Sequence, residues 1–136
     1  MNFIKNSIII MTAAALMISC AVRKKIVPTR ETLEKRAQEY FSAKVEDDLS
    51  KMYRFINPSS RKMISEESFV RQQKRYAGFI VKGFSIKEIT FTDPANAMVD
   101  VIFTMESGDV STQFPFVFED GNWYRNYPTY EIDKKK

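Results

Sequence analysis

The chain has one cysteine and no histidine, and these two facts limit the chemistry it can do. Without histidine there is no Ser-His-Asp or Cys-His arrangement and no histidine metal site. Cys20, the single thiol, lies near the end of an uncharged stretch at 6–22, just before a basic run at 23–25. Because this thiol precedes the first predicted folded element, we expect that it is not a buried structural cysteine.

Residues 1–19 have the composition of a bacterial export signal. A weakly basic start precedes an apolar run at 7–17, and Ser19 places a small side chain before Cys20. The uncharged tract is shorter than the ~20 apolar residues of a membrane-spanning helix. Residues 16–20, Leu-Met-Ile-Ser-Cys, resemble the lipobox of bacterial lipoproteins. That resemblance implies cleavage before Cys20 and acylation, typically with palmitate, of the new N-terminus.

The lipobox resemblance also implies a location in the cell envelope. Ala21 follows the cysteine, whereas enterobacterial-type lipoproteins retained at the inner membrane carry Asp there. We therefore expect the periplasmic face of the outer membrane, if the bacterium has one. Ordinary secretion and an uncleaved anchor are the alternatives. In an exported protein we interpret the basic run at 23–25, next to the anchor, as attraction to anionic lipid. The terminal lysines are interpreted as a solvated tail, and we expect no nucleic-acid partner.

Hydrophobic periodicity predicts helices in the first half of the chain. Thr29 is the predicted N-cap of a helix that starts at Arg30. Apolar residues recur at helical spacing over 33–45 and again over 49–56, as two helices or one bent helix. Asn-Pro at 57–58 should end this pattern. Ser65 predicts the start of a third helix.

From Phe84 the apolar period changes to two, which predicts a meander of about four antiparallel strands. A phase change predicts a β-bulge at residues 87–88. Alternating apolar residues over 97–105 predict one core-facing stripe. Pro115 should face an edge or a bulge because it has no N–H to donate. Turns are predicted at 93–96, 107–109 and 119–122.

Helices followed by an antiparallel sheet predict an α+β fold class. We divide the chain into a signal (1–19), a lipidated tether (20–28), one domain (29–130) and a basic tail (131–136).

Three stretches, at 40–49, 53–58 and 116–124, resemble the opening helices and the last hairpin of the NTF2-like superfamily. The resemblance implies N-terminal helices packed on a curved sheet that forms a cone. A cystatin-like domain without a pocket is the alternative. Neither implies an activity.

Asp100 is the one candidate general base, because NTF2-like isomerases use a carboxylate inside an apolar pocket. It interrupts an apolar strand on the side of Met98 and Ile102. Burial there would raise its pKa and make it a usable base. The opposite, cleaner stripe is the better core face, which places Asp100 outside. Asp47 and Asp48 lack a calcium-loop pattern, so we expect a helix boundary and no metal.

Trp123 and Arg125 share one face of the last strand and could form a pocket wall that fixes an anionic ligand. The alternative is that Trp123 packs on a helix while Arg125 extends outward. Tyr53 is a further candidate, as a core residue whose hydroxyl reaches the rim. We expect no cofactor.

The sequence favours a lipid-anchored, non-enzymatic module that binds an envelope partner. A small-molecule pocket and an acid–base enzyme using Asp100 are the alternatives, and the oligomeric state is open.

Overall fold

The computed structural model describes residues 25–75 and 79–127. Cys20, the signal and the basic tail lie outside the described residues. Helices come first and an antiparallel sheet follows, which confirms the predicted α+β class. The helices are α1 (Arg30–Val45), α2 (Leu49–Arg54), α3 (Pro58–Arg61) and α4 (Glu66–Lys74), and the strands are β1 (Val81–Asp93), β2 (Asn96–Met105), β3 (Gly108–Glu119) and β4 (Asn122–Arg125).

A reciprocal capping box starts α1, as Thr29 predicted. The Thr29 hydroxyl accepts from the backbone N–H of Thr32 at 3.2 Å, and the Thr32 hydroxyl accepts from the Thr29 N–H at 3.0 Å. Threonine replaces the usual Glu or Gln at the third helical position. The Thr32 hydroxyl also donates to the Val27 carbonyl at 2.6 Å, so the residues before the helix are held to its first turn.

The sequence left open whether residues 30–56 form one bent helix or two, and the structure has two. Asp47 adopts a left-handed backbone with φ of 55°, which breaks the helical path. Asp48 then caps α2 by accepting from the Lys51 N–H at 2.9 Å. The short helix α3 was not predicted. Pro58 ends the preceding pattern and also starts α3, since the first helical position needs no N–H donor.

The sheet is a meander in the order β1-β2-β3-β4. The register between β1 and β2 shifts between Ile86 and Glu88, so the predicted bulge is confirmed. Pro115 accepts from the Asn126 N–H at 2.8 Å through its carbonyl. Its ring nitrogen therefore faces the β4 side of β3, one residue beyond the paired part of β4, as the edge prediction required.

The outer edge of β4 is closed by the segment that follows α2. Ile56 forms a parallel bridge with Arg125. The Arg125 N–H donates to the Phe55 carbonyl at 2.7 Å, and the Asn57 N–H donates to the Arg125 carbonyl at 3.1 Å. These bonds hold the backbone of Arg125 on its outer side, and β3 pairs with its other side.

Glu119 ties the β3–β4 turn to α3. Its carboxylate accepts from the Ser59 N–H at 2.9 Å, from the Ser59 hydroxyl at 2.5 Å and from the Asn57 amide at 3.2 Å. Burial alone would raise the pKa of this carboxyl, but the bonds from Ser59 and Asn57 outweigh burial and lower it below its ordinary value of 4.5.

The core lies between α1 and the inner face of the sheet, which is the face that carries the predicted stripe of β2. Ala97, Val99, Val101 and Phe103 of that stripe are all buried. Because side chains alternate along a strand, the intervening residues of β2 lie on the outer face. The largest buried side chains of α1 against this stripe are Leu33, Tyr40 and Phe41.

Candidate binding site on the inner face of the sheet

Aromatic rings from α1, β2 and β3 meet on the inner face of the sheet. The centroids of Tyr40, Phe41, Phe103, Phe114 and Phe116 lie 5.2 to 6.3 Å apart in the contacting pairs, mostly edge to face. Such pairs add about 0.5–1.5 kcal/mol beyond the area they bury. This cluster gives the site rigid apolar walls.

Arg125 projects into this aromatic environment rather than outward. Its guanidinium carbon lies 5.1 Å from the ring centroid of Phe114 and 5.9 Å from that of Tyr127. Nη1 donates to the carbonyl of Asn126. Nε is buried and has no hydrogen-bond partner in the described part of the chain. A half-buried guanidinium with an unused donor is thus held against aromatic rings.

Two polar groups of α1 approach Arg125 from the helix side. Tyr40 is buried, and burial raises the pKa of its hydroxyl although the nearby Arg125 guanidinium partly opposes this. Lys44 lies one helical turn later, with its Nζ 5.8 Å from the Phe103 centroid. Burial lowers the pKa of Lys44, the positive charge of Arg125 lowers it further, and the Asp47 carboxylate offsets part of the shift. Two cations therefore share one partly desolvated region.

Trp123 lies on the same face as Arg125, as predicted, but its contacts are those of a packed core residue. Its side chain is 0% exposed, and its ring packs edge to face on Phe91 and Phe118 at 5.8 and 5.4 Å. The indole N–H donates to the Thr32 hydroxyl at 3.2 Å. The Trp123 carbonyl accepts from Arg36 at 3.0 Å. Trp123 thus joins β4 to the start of α1.

Tyr53 is held by backbone contacts away from Arg125. Its hydroxyl donates to the Ile64 carbonyl at 2.7 Å, and its ring lies 5.7 Å from that of Phe69. Phe69 in turn lies 5.7 Å from Tyr127, the ring that Arg125 approaches. Two rings therefore separate Tyr53 from the guanidinium, and its role as a ligand contact stays a prediction.

Asp100 lies on the outer face of the sheet, opposite to Arg125, as the cleaner stripe of β2 indicated. In the register it stands between Glu88 of β1 and Gln113 of β3. It is half-buried, and among the described residues nothing hydrogen-bonds to its Oδ1. The structure therefore does not bring Asp100 together with Arg125 and Trp123. The hypothesis that Asp100 acts as a base required its carboxylate to face the inner side of the sheet.

Lys44 was not singled out in the sequence, although a signal for it existed. Residues four apart lie on the same face of a helix, so Tyr40 predicts that Lys44 faces the sheet. The inward direction of Arg125 follows in the same way from strand alternation with Trp123.

A second surface feature lies at the end of the sheet where β1 begins. Phe79 and Ile80 are each 68% exposed, and Val110 is 46% exposed. Phe79 and Ile80 line a surface groove together with Met105. We call Phe79, Ile80, Met105 and Val110 the distal patch. At the other end of the sheet, Val27 and Thr29 bond to Thr32, which also accepts from the Trp123 indole. We call this the tether end.

Within residues 25–75 and 79–127, no cluster of three or more Cys, Asp or Glu side chains has the arrangement of a metal site. The helices of this part are all too short or too polar to cross a bilayer.

Solved structures with a similar fold include proteins from two bacteria. One is described as "Putative NTF2-like transpeptidase" from Campylobacter jejuni, with a TM-score of 0.54 and 16% identity over 70% of this chain and 97% of that chain. The fold is NTF2-like. The other, a sec-c motif containing protein from Psychrobacter arcticus, has a TM-score of 0.54 and 18% identity over 73% of this chain and 60% of that chain.

Identities this low show the NTF2-like fold alone and carry no activity from either protein. No family model and no curated protein matches the sequence.

Proposed function

We propose that this chain is a lipid-anchored protein of the bacterial cell envelope, preferably at the outer membrane, that binds a protein partner without catalysing a reaction. The lipobox-like sequence ending at Cys20 supports the anchor. One residue with two or three acyl chains gives stable attachment, at ~0.8 kcal/mol per buried methylene. The NTF2-like domain would then be presented to the periplasm by the tether.

The distal patch carries the partner-binding part of the proposal. Phe79 and Ile80 are adjacent large apolar side chains that remain mostly in water, and Val110 adds to the same end of the sheet. Exposed apolar side chains that are grouped, rather than scattered singly, mark interaction surfaces. Their burial against a partner would be favourable at roughly 25 cal/mol per Å².

The position of the distal patch suits a partner rather than the anchoring membrane. β2 runs from Asn96 at the tether end to Met105 at the patch and has ten residues. At roughly 3.3 Å per residue the patch lies about 30 Å from the tether end. A domain held at its tether end would therefore point the patch into the periplasm.

Site-specific photo-crosslinking in the native bacterium tests the partner. A photoreactive residue at position 79 or 110 of the full-length protein should crosslink one specific protein. Val27 and Met63 are matched control positions, since they are 55% and 53% exposed but lie outside the distal patch. Equal crosslinking from the control positions, or none from 79 and 110, would contradict the proposal.

Metabolic labelling with a fatty-acid analogue tests the anchor independently. Wild type should incorporate the label and sediment with membranes, and Cys20→Ala should do neither. Ser19→Ala keeps a small residue before the cysteine and is the matched control that should still be labelled. Unlabelled wild-type protein in the cytosol would contradict the anchor.

A further inference from the structure

We propose that Arg125 and Lys44, with the Tyr40 hydroxyl between α1 and the sheet, form a binding site for an organic carboxylate. This site is separate from the distal patch and does not depend on it. We call Tyr40, Lys44 and Arg125 the cationic cluster.

The first observation is the state of the Arg125 guanidinium. Its backbone is fixed by Phe55, Asn57 and β3, so the side chain is anchored at the inner face. Its Nε is buried without a partner in the described part of the chain. A buried donor without an acceptor costs roughly 1–3 kcal/mol of stability. A ligand acceptor that bonds to Nε would remove this cost.

The second observation is that a second cation, Lys44, lies in the same partly buried region. Burial and, after it, the positive charge of Arg125 lower the pKa of Lys44. The ion pairs found among the described residues involve neither side chain. Asp47 is the one acid that favours the charged form of Lys44. An anion between the two cations would turn this repulsion into attraction.

The geometry also selects the chemical class of the anion. A guanidinium offers two parallel N–H donors that match the two oxygens of a carboxylate. Phe103 and Phe114 lie against the two cations, so the body of the ligand would contact rings rather than water. A small carboxylate on an aromatic or apolar body fits both features, whereas inorganic phosphate would use the cations and not the rings.

A purely structural role for Arg125, as a cation stacked on rings, is the competing explanation. Arg61 provides a matched control, because its Nε is also buried without a described partner and its guanidinium lies 5.7 Å from the Tyr124 ring. Tyr124 is the neighbour of Arg125 along β4, so its side chain leaves the strand on the opposite, outer face of the sheet. Arg61 has the same local chemistry, and Arg36 lies over the same Tyr124 ring at 5.4 Å, but Arg36 is paired with the Glu39 carboxylate.

Benzoate and its neutral isostere benzamide are the probes, titrated into the full-length protein in nanodiscs. Benzoate should bind about tenfold or more tightly than benzamide, since one charge-assisted hydrogen bond accounts for at least that factor. Inorganic phosphate should bind more weakly than benzoate. The signal of Lys44, followed by NMR with labelled lysine, should show a higher pKa when benzoate is bound.

Arg125→Met and Lys44→Met should each remove the preference for benzoate, and Arg61→Met should retain it. If Arg125→Met does not fold, the Lys44 titration in wild type and the Lys44→Met variant decide. Equal binding of benzoate and benzamide, or no binding of benzoate, would overturn the proposal. So would phosphate binding as tightly as benzoate, or a Lys44 pKa that benzoate leaves unchanged. None of these results bears on the distal patch, which crosslinking tests separately.

Discussion

The two ends of the sheet differ in how their side chains are used. At the tether end, Trp123 bonds to Thr32, Arg36 bonds to the Trp123 carbonyl, and Glu119 bonds to α3. At the distal patch, Phe79 and Ile80 remain exposed. Contacts at the tether end stabilise the fold, whereas the exposed Phe79 and Ile80 side chains contribute little to it. These two side chains can therefore change with little loss of stability.

The largest expected effect is at the centre of the tether end. Trp123→Ala removes a fully buried ring that contacts Phe91 and Phe118. We expect it to lower the free energy of unfolding by about 3–5 kcal/mol, the usual cost of removing a large buried aromatic. Urea denaturation followed by circular dichroism measures this. A loss under about 1 kcal/mol would mean that this end is not the more stable one.

Glu119→Gln tests the link between the β3–β4 turn and α3. We expect a loss of about 1.5–3 kcal/mol at pH 7, because hydrogen bonds to a charged acceptor are among the stronger ones. Chemical denaturation of both proteins gives the difference. Glu67→Gln, whose carboxylate is largely exposed, is the control and should change stability by less than about 0.5 kcal/mol.

The same residue gives a pH dependence with a defined sign. The pKa of Glu119 is lower in the folded state than its ordinary value of 4.5. The stability it contributes is therefore present above pH 4.5 and is lost as the pH falls through the lower folded value. The difference between wild type and Glu119→Gln should shrink over that range in denaturation at stepped pH. A difference that is constant with pH would show that the charge is not what matters.

Thr32→Val should have a smaller effect at the tether end. Its hydroxyl accepts from the Thr29 N–H and the Trp123 indole and donates to the Val27 carbonyl. Valine keeps the shape but leaves the indole N–H unpaired, so we expect a loss of about 1–2 kcal/mol. Thr32→Ser restores the hydroxyl and should recover most of it. Thermal unfolding of the three proteins makes the comparison.

The smallest effect is expected at the distal patch. Phe79→Ser with Ile80→Ser should change the free energy of unfolding by less than about 0.5 kcal/mol per site, because both side chains are already in water. Crosslinking to the partner should nevertheless be lost. A destabilisation comparable to that of Trp123→Ala would assign the patch to the core instead.

The order of helices and strands could be predicted because it follows local periodicity. The bulge at residues 87–88 and the buried stripe of β2 could both be predicted from the phase of the alternating apolar residues. Helix α3 was missed because Asn-Pro is read as an end, and only tertiary contacts, such as Glu119 with Ser59, show that it is also a start.

The candidate site was only partly predictable, because its members come from distant parts of the chain. Strand alternation placed Arg125 beside Trp123, but nothing local shows that Lys44 of α1 and Arg125 of β4 meet. The Tyr53 hydroxyl likewise bonds to a carbonyl eleven residues away, and no pattern indicates that partner. Such pairings depend on how α1 crosses the sheet, which composition and period do not specify.

The single tryptophan of the chain has a further consequence through its indole N–H. Trp123 donates to the Thr32 hydroxyl, which itself donates to the Val27 carbonyl, in the segment that would lead to the proposed lipid anchor. Any pull that separates Val27 from the first turn of α1 also perturbs the polar contact of the only indole. The fluorescence of Trp123 should therefore report whether that segment is bound to the first turn of α1. It can be measured in intact vesicles without an added label.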